Sequence, residues 1–346
     1  MNIEDNLNRQ YHDAGDERVC RRGVVEDEAD TRNSGVKDER VCRRSGVADG
    51  TETLNSGVKD ERVCRRSGVA DGTETRNSGV KDERVCIFIC VFNQLKYVEM
   101  FLLSLKSILK YGELDSNTDI LIYTSTQFMN IIKETMLKEF VGEVESFTKE
   151  FDIFANIKFE IADDKNDIDK ACKARLDLFN LPSIVKYKKF LYLDTDILIK
   201  GSISSIFNLV QEDVLYVLEE GEINSDTDWW GNSLFGDDIN LYEDKTAFTS
   251  GIMLFRNCEK MKFLFKKIIE DSINRNRFFV CYDQPYIIFN AFKYQLYNNK
   301  ILKSYVVNND YNINSDKIIH HFPGNPGVYH HKIEKMNSFL FNLESK

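Results

Sequence analysis

The chain has 346 residues, a formal net charge of -10 and 42% hydrophobic content, with 24 Phe and 15 Tyr. That is ample apolar material for one sizeable core, and the acidic balance excludes a basic phosphate-reading surface, so no nucleic-acid partner is expected. The chain has 8 Cys, but Cys20, Cys42, Cys64 and Cys86 are copied by a repeat, while Cys90, Cys172, Cys258 and Cys281 lie far apart, so neither a zinc pattern nor a disulfide framework is expected.

The first feature in chain order is a tandem array. "DERVC" begins at Asp16, Asp38, Asp60 and Asp82, a period of 22 residues. The unit Lys37 to Val58 balances four basic against four acidic side chains, contains no aromatic residue, and its Val41, Val47 and Val58 form no apolar face. Such a segment cannot bury enough surface to offset chain entropy, so residues 1–84 are expected to be a disordered low-complexity tail. A repeat-mediated binding role is the sharper alternative. The N-terminus "MNIEDNLNRQYHDAGDE" is too polar for a signal peptide, and no later run approaches the roughly 20 apolar residues of a membrane span. A reduced, soluble, cytoplasmic protein is the expectation.

From about Val85 the composition turns to Ile, Phe, Leu and Tyr, and residues 85–346 are expected to form one folded domain. "VCIFICVF" reads as a buried strand, followed by a helix whose Tyr97, Phe101, Leu105 and Leu109 recur every four positions. "DILIYTS" follows as a strand, then a helix near Ile131 to Phe140, "IKFEIA" as a strand, "KACKARLDLFN" as a helix, and "FLYL" as another strand. This alternation predicts an α/β fold with a mostly parallel sheet covered on both faces.

"FLYL" places Asp194 at a strand end and Asp196 two residues on, where ligands collect in such sheets. Two carboxylates in an apolar run need compensation by solvent, a basic partner or a metal. The pair suits a divalent cation with oxygen ligands, against the plainer reading of two turn aspartates in water. The linker Glu219 to Asp244 is long and acidic and holds both tryptophans. Trp229 and Trp230 could stack on a sugar, but pinning the loop to the core is their more ordinary use.

"YKKFLYLDTDILIKGSISSIF" resembles the Asp-x-Asp segment of nucleotide-sugar glycosyltransferases of the GT-A fold, and most closely the glycogenin-like glycosyltransferase family eight. Four more segments stand in that family's order: "ARLDLFNLP", "FTSGIMLFRN" with Thr249 where Asn is usual, "YDQPYIIFNAF", and "IIHHFPGNPG". The resemblance implies a Rossmann-like GT-A domain and a metal-dependent hexosyltransferase that takes a sugar, expectedly from a UDP donor, to a hydroxyl acceptor with retention. It makes Asp194, Asp196 and His321 the metal ligands, for Mn2+ or Mg2+, with Mn2+ preferred because imidazole is the softer ligand. Arg175, Asp283 and Gln284 become the catalytic group. Phe92, Asn93, Tyr97, Thr195, Ser250, Gly251, Gly324 and Lys332 become donor contacts. The family's Lys-Pro-Trp is absent, and Lys332 of "NPGVYHHKIEK" is the nearest substitute.

Each of these residues also has a structural reading. Arg175 could form a helix-surface ion pair with Asp177 or Asp169, Asp283 could cap its helix, and Ser250 and Gly251 could mark a strand bulge. His320, His330 and His331 read as surface or core histidines, since neighbours in a strand face opposite ways. The implied partners are a nucleotide sugar and a glycan, protein or small-molecule acceptor, and a homodimer is compatible with the sequence. One alternative is a phosphohydrolase of the haloacid dehalogenase type, which also puts Asp-x-Asp after a strand but wants Thr or Val where Leu198 stands. The other is a sugar-binding relative without activity, whose repeats act as a scaffold.

Overall fold

The computed structural model describes residues 83–144, 153–225, 227–275, 277–324 and 329–346. Residues 1–82, which hold all but the end of the repeat array, lie outside them, and with them the expectation of a disordered tail. In chain order the elements are β1 (Val85–Val91), α1 (Leu95–Tyr111), β2 (Thr118–Thr124), α2 (Thr126–Val144), β3 (Ile157–Ile161), α3 (Ile168–Lys173), β4 (Lys189–Leu193) and β5 (Ile197–Ile199). There follow α4 (Ser204–Phe207), β6 (Leu215–Glu222), α5 (Asn232–Phe235), β7 (Thr246–Arg256), α6 (Glu259–Arg275), α7 (Gln284–Lys293), β8 (Tyr297–Asn298), β9 (Val306–Asn308), β10 (Ile319–His321) and α8 (Tyr329–Glu344).

Seven strands form the central sheet in the order β3-β2-β1-β4-β7-β6-β8. The pairs β1/β2, β1/β4, β2/β3 and β6/β8 are parallel, and β7 runs antiparallel to both β4 and β6. The near-continuous apolar run of β1 follows from burial on both faces. Cys86 and Phe88 pack into one core layer, whereas Ile87, Ile89 and Val91 pack into the other. On β4 the same alternation sends Phe190 and Tyr192 to the first layer and Leu191 and Leu193 to the second. No described helix is long and apolar enough to cross a membrane.

The described residues begin within the last copy of the repeat. Arg84 Nη2 reaches Asp119 Oδ1 at 2.5 Å, its carbonyl accepts from Lys188 N at 2.9 Å, and Val85 N donates to Asn117 O at 2.9 Å. Asp119 is fully buried and is further held by Tyr187 Oη at 2.7 Å and Lys186 Nζ at 3.0 Å. Three charge-assisted partners thus hold its carboxyl below the usual range, although burial opposes them.

A second, three-stranded sheet, β5-β10-β9, positions the site. The antiparallel register sets His321 opposite Ile197, and Phe322 N donates to Asp196 O at 2.9 Å, so two segments over 120 residues apart meet beside the end of β4. α8 seals this region by burying Met336, Phe339 and Leu340 against Met100, Leu198 and Phe322.

One reading needed adjustment. The predicted helix "KACKARLDLFN" divides into α3 and a 3-10 segment, Ala174–Asn180, in which Ala174, Arg175, Leu176 and Leu178 are buried. The acidic linker is a folded excursion with 3-10 turns at Asp228–Trp230 and Gly236–Leu241 flanking α5.

Candidate functional site

A cavity of about 490 Å3 opens at the carboxyl end of β4. Asp194 follows this strand directly, and its backbone N–H donates to Gly251 O at 2.8 Å across the β4/β7 pair. One oxygen each from Asp194 and Asp196 and a ring nitrogen of His321 lie within 4.8 Å of one another. Two features fit a cation here. Asp196 Oδ1 is buried without a hydrogen-bond partner, which is costly unless a ligand completes it. A Cβ added to Gly251 would stand 2.7 Å from His321 Cε1 and 2.9 Å from Asp194 Oδ2, so the space between the ligands exists only because this residue lacks one.

His321 is oriented from behind. Its Nδ1 lies 2.8 Å from Asn308 Oδ1, so an Nδ1–H donates there and Nε2 faces Asp196 Oδ1 at 3.4 Å. The neighbouring His320 points the opposite way, against Phe339, with its ring nitrogens near the Asp310 and Lys317 carbonyls. His330 and His331 are exposed on α8.

Each aspartate already has a basic neighbour. Lys332 Nζ donates to Asp196 Oδ2 at 2.7 Å; burial pushes that carboxyl upward, but the lysine charge outweighs it and holds the carboxyl below its ordinary range. Asp194 Oδ1 accepts from Tyr192 Oη and, at 3.2 Å, from Arg175 Nη1. Arg175 is 7% exposed and forms a fork on Asp283: Nε to Oδ2 and Nη2 to Oδ1, both 2.7 Å, with Nη1 also donating to Ser250 O at 2.9 Å. Burial alone would lower the guanidinium pKa and raise that of the Asp283 carboxyl. The pair is ionised nonetheless, because both carboxylate oxygens accept guanidinium hydrogens and leave no place for a carboxyl proton. Asp169 and Asp177 pair instead with Lys173 and Lys165. Asp283 does precede α7, but its side chain makes no cap hydrogen bond.

β7 bulges where it passes the cavity. Its register against β6 jumps from Met253 opposite Val217 to Thr249 opposite Leu218, which turns Ser250 and Gly251 toward the cleft. Ser250 N and Oγ both donate to Gln284 Oε1, at 2.9 and 3.2 Å. Phe92, Tyr97, Thr195, Gly324 and Lys332 line the cavity as well, whereas Asn93 and Asp283 are not among its lining residues. Asn93 adopts φ 74 at the turn after β1, and Asp283 is fully buried behind Arg175.

Glu220 also lines the cavity and had no part in the sequence reading. Burial pushes its carboxyl upward, while side-chain hydrogen bonds with Asn308 and Thr249 and the charge of His321 oppose this. The signal was present in "LYVLEEGE", where carboxylates end an apolar strand just as in "FLYLDTD". The two tryptophans divide the roles considered for them. Trp230 is 9% exposed and covers Gly221, whose φ of 67 and missing Cβ admit the indole, while Trp229 is 44% exposed at the cavity wall.

The sequence profile of Glycosyl transferase family 8 matches residues 86–332. No curated protein sequence matches the chain. Among solved structures, the apo WbbM bifunctional glycosyltransferase is 14% identical, with 77% of this chain and 52% of that one covered and a TM-score of 0.49. This chain thus spans about half of WbbM. The galactosyltransferase LgtC in complex with donor and acceptor sugar analogs is 15% identical, covering 73% of this chain and 95% of that one, with a TM-score of 0.48. Mouse xyloside xylosyltransferase 1 is 11% identical, with 69% and 97% covered and a TM-score of 0.44.

Proposed function

The chain belongs to Glycosyl transferase family 8 and is a glycosyltransferase, and we propose that it transfers a hexose from a UDP-sugar to a hydroxyl acceptor, with a divalent cation and with retention of configuration. Family membership displaces the phosphohydrolase alternative and supports the donor class and the stereochemistry. The metal reading rests on one observation: Asp194, Asp196 and His321 converge while Asp196 Oδ1 is buried without a hydrogen-bond partner. Two carboxylates and an imidazole fit Mn2+ or Mg2+. When bound, such a cation supplies Lewis-acid charge to the departing nucleotide diphosphate.

The chain's own residues take the remaining roles in this reading. Arg175, fixed by Asp283 and Ser250 O, presents an immobile positive group beside Asp194 and orients the sugar. Gln284, with Oε1 held by Ser250, has its amide N–H groups left for the donor sugar. Phe92 and Tyr97 flank the nucleotide, with Thr195 and Gly324 beside the phosphates. Glu220 holds acceptor hydroxyls, and the half-exposed Trp229 ring offers a platform to a sugar face. The 1–84 segment is proposed to be a tail dispensable for catalysis, and 85–346 the catalytic domain.

A donor screen tests the proposal: nucleotide sugars with Mn2+, reading released nucleotide, with and without chelator. UDP release from a UDP-hexose that stops with excess chelator is the expected result. Full turnover in chelator would refute the metal. Binding of donors with no turnover on any of them would favour the inactive sugar-binding relative.

A further inference from the structure

We propose that the acceptor is a glycoside with an apolar aglycone, which lies along a rim of Trp229, Val280, Tyr282 and Phe278 while a sugar hydroxyl reaches the charged part of the cleft. The inference rests on the reading above and deepens it by naming the acceptor class. The charged side chains of the cavity lining, Arg175, Asp194, Asp196, Glu220 and Lys332, come from the 3-10 segment after α3, the end of β4, β6 and α8. The lining that α3 and the loop 277–283 contribute, namely Ile168, Ala171, Cys172, Val280, Cys281 and Tyr282, carries no charge. This apolar surface continues out of the cavity. Val280 is 52% exposed at its wall, and Phe278 is 76% exposed with its ring edge-on to that of Tyr282 at 6.1 Å.

A single exposed apolar side chain is ordinary, but a contiguous group on a fixed loop marks a binding surface. The loop is pinned from inside. Phe279 is buried between its two exposed neighbours and packs edge-on against Tyr286 at 5.3 Å. Tyr286 Oη accepts from Arg277 N at 3.0 Å and donates to Arg277 O at 2.9 Å. Arg277 also stands 3.6 Å from Asp228, which ties the residue before Phe278 to the residue before Trp229. The last member is held in a costly conformation: Tyr282 has φ 51, a region that bulky side chains avoid, with its N–H on Phe279 O at 3.1 Å. The loop thus spends backbone strain and solvent contact on keeping three apolar side chains outward beside a polar cleft. Covering them with the apolar part of an acceptor recovers the solvent cost.

The test is the intrinsic fluorescence of the full chain, titrated with matched methyl and hexyl β-glycosides of glucose, galactose and xylose below micelle-forming concentrations. The chain has 2 Trp, Trp229 and Trp230, and both line the cavity, so the emission reports this rim. Each buried methylene contributes roughly fourfold in affinity, so a hexyl chain covered over part of its length should bind roughly tenfold more tightly than methyl and shift the emission to the blue. In the F278S/V280S double variant that ratio should fall to about threefold or less. Its Tm should stay at the wild-type value, because both side chains are exposed. V185S, which removes an exposed apolar side chain outside the cavity lining, should keep the full ratio. With a donor present, hexyl glycosides should accelerate UDP release more than their methyl partners at equal concentration. Equal affinity within all three pairs overturns the inference, as does a hexyl preference that survives F278S/V280S or disappears in V185S. Tighter hexyl binding without greater UDP release overturns the acceptor role. No UDP release from any donor, with or without a glycoside, overturns the donor reading instead.

Discussion

Gly251→Ala is a one-carbon probe of whether the convergence of Asp194, Asp196 and His321 is a metal centre. Gly251 is not among the positive-φ glycines, so its backbone conformation is open to alanine and only space is at issue. The new Cβ would stand 2.7 Å from His321 Cε1, 2.9 Å from His321 Nε2 and 2.9 Å from Asp194 Oδ2. Ordinary contact distances require these atoms to retreat by about 0.5 Å or more, and metal–ligand distances tolerate only about 0.2 Å. The fold should lose about 1–3 kcal/mol from overpacking, which lowers the metal-free Tm by several degrees in a domain of this size. The ligand response should vanish altogether. In wild type, Mn2+ plus UDP at about 100 times Kd adds about 2.7 kcal/mol and raises Tm measurably, whereas the variant should show no shift. Differential scanning fluorimetry with and without ligands reads both numbers, and Asp196→Asn provides a second variant without added volume. A Gly251→Ala protein that binds Mn2+ with wild-type affinity would refute the reasoning, because no cation could then lie between those two side chains.

Two further predictions concern stability. Deleting residues 1–80 should leave cooperative unfolding and donor hydrolysis unchanged, whereas deleting 1–86 should abolish the cooperative transition, because it removes Arg84 from Asp119 and the first residues of β1; equal behaviour of the two truncations in a urea melt would count against the assigned start of the domain. Asp119→Asn should destabilise by about 3 kcal/mol at neutral pH by breaking the Arg84 and Lys186 pairs. The folded pKa of Asp119 is depressed, so its contribution is complete above the unfolded value of about 4 and is lost as pH falls through the folded pKa. The gap between wild type and variant should therefore be constant from pH 7 to about 5 and narrow below about 4; a gap unchanged at pH 3 would contradict the assignment.

The fold was largely legible because its signals are local. β1, β2, β3 and β4 coincide with apolar runs, and α1 follows the four-residue recurrence, burying Phe101 and Leu105 while Tyr97 and Leu109 lie at its margins. Less legible was whatever depends on a partner distant in sequence. Nothing near Arg175 announces that its fork is Asp283, 108 residues on, rather than Asp169 or Asp177 within its own segment. The resemblance brought His321 beside Asp196, but the β5/β10 pairing and the Asn308 bond that orient it are tertiary facts. Lys332 was read as a phosphate contact, and its place on Asp196 appears only once α8 is docked.

Charge explains why these contacts belong together. The cleft and its wall hold four carboxylates, Asp194, Asp196, Glu220 and Asp283, against two permanent cations, Arg175 and Lys332. Asp283 spends most of the Arg175 charge, since both of its oxygens accept from that guanidinium. A diphosphate entering this cleft unaccompanied would meet excess negative charge, with roughly 4 kcal/mol at stake for each close pair at an effective dielectric of 20. On the proposed reading, an added cation would offset this imbalance for an anionic donor, beyond aiding the departing nucleotide. It also separates the two aspartates that interrupt the apolar run. Asp194 shares Arg175 through Oδ1 and keeps its second oxygen beside Gly251, whereas Asp196 shares Lys332 through Oδ2 and keeps Oδ1 toward His321. In each, one oxygen is held by a basic side chain and the other faces the gap toward the imidazole, so the charge of the pair is partly offset while two oxygens stay open to a shared cation on the proposed reading.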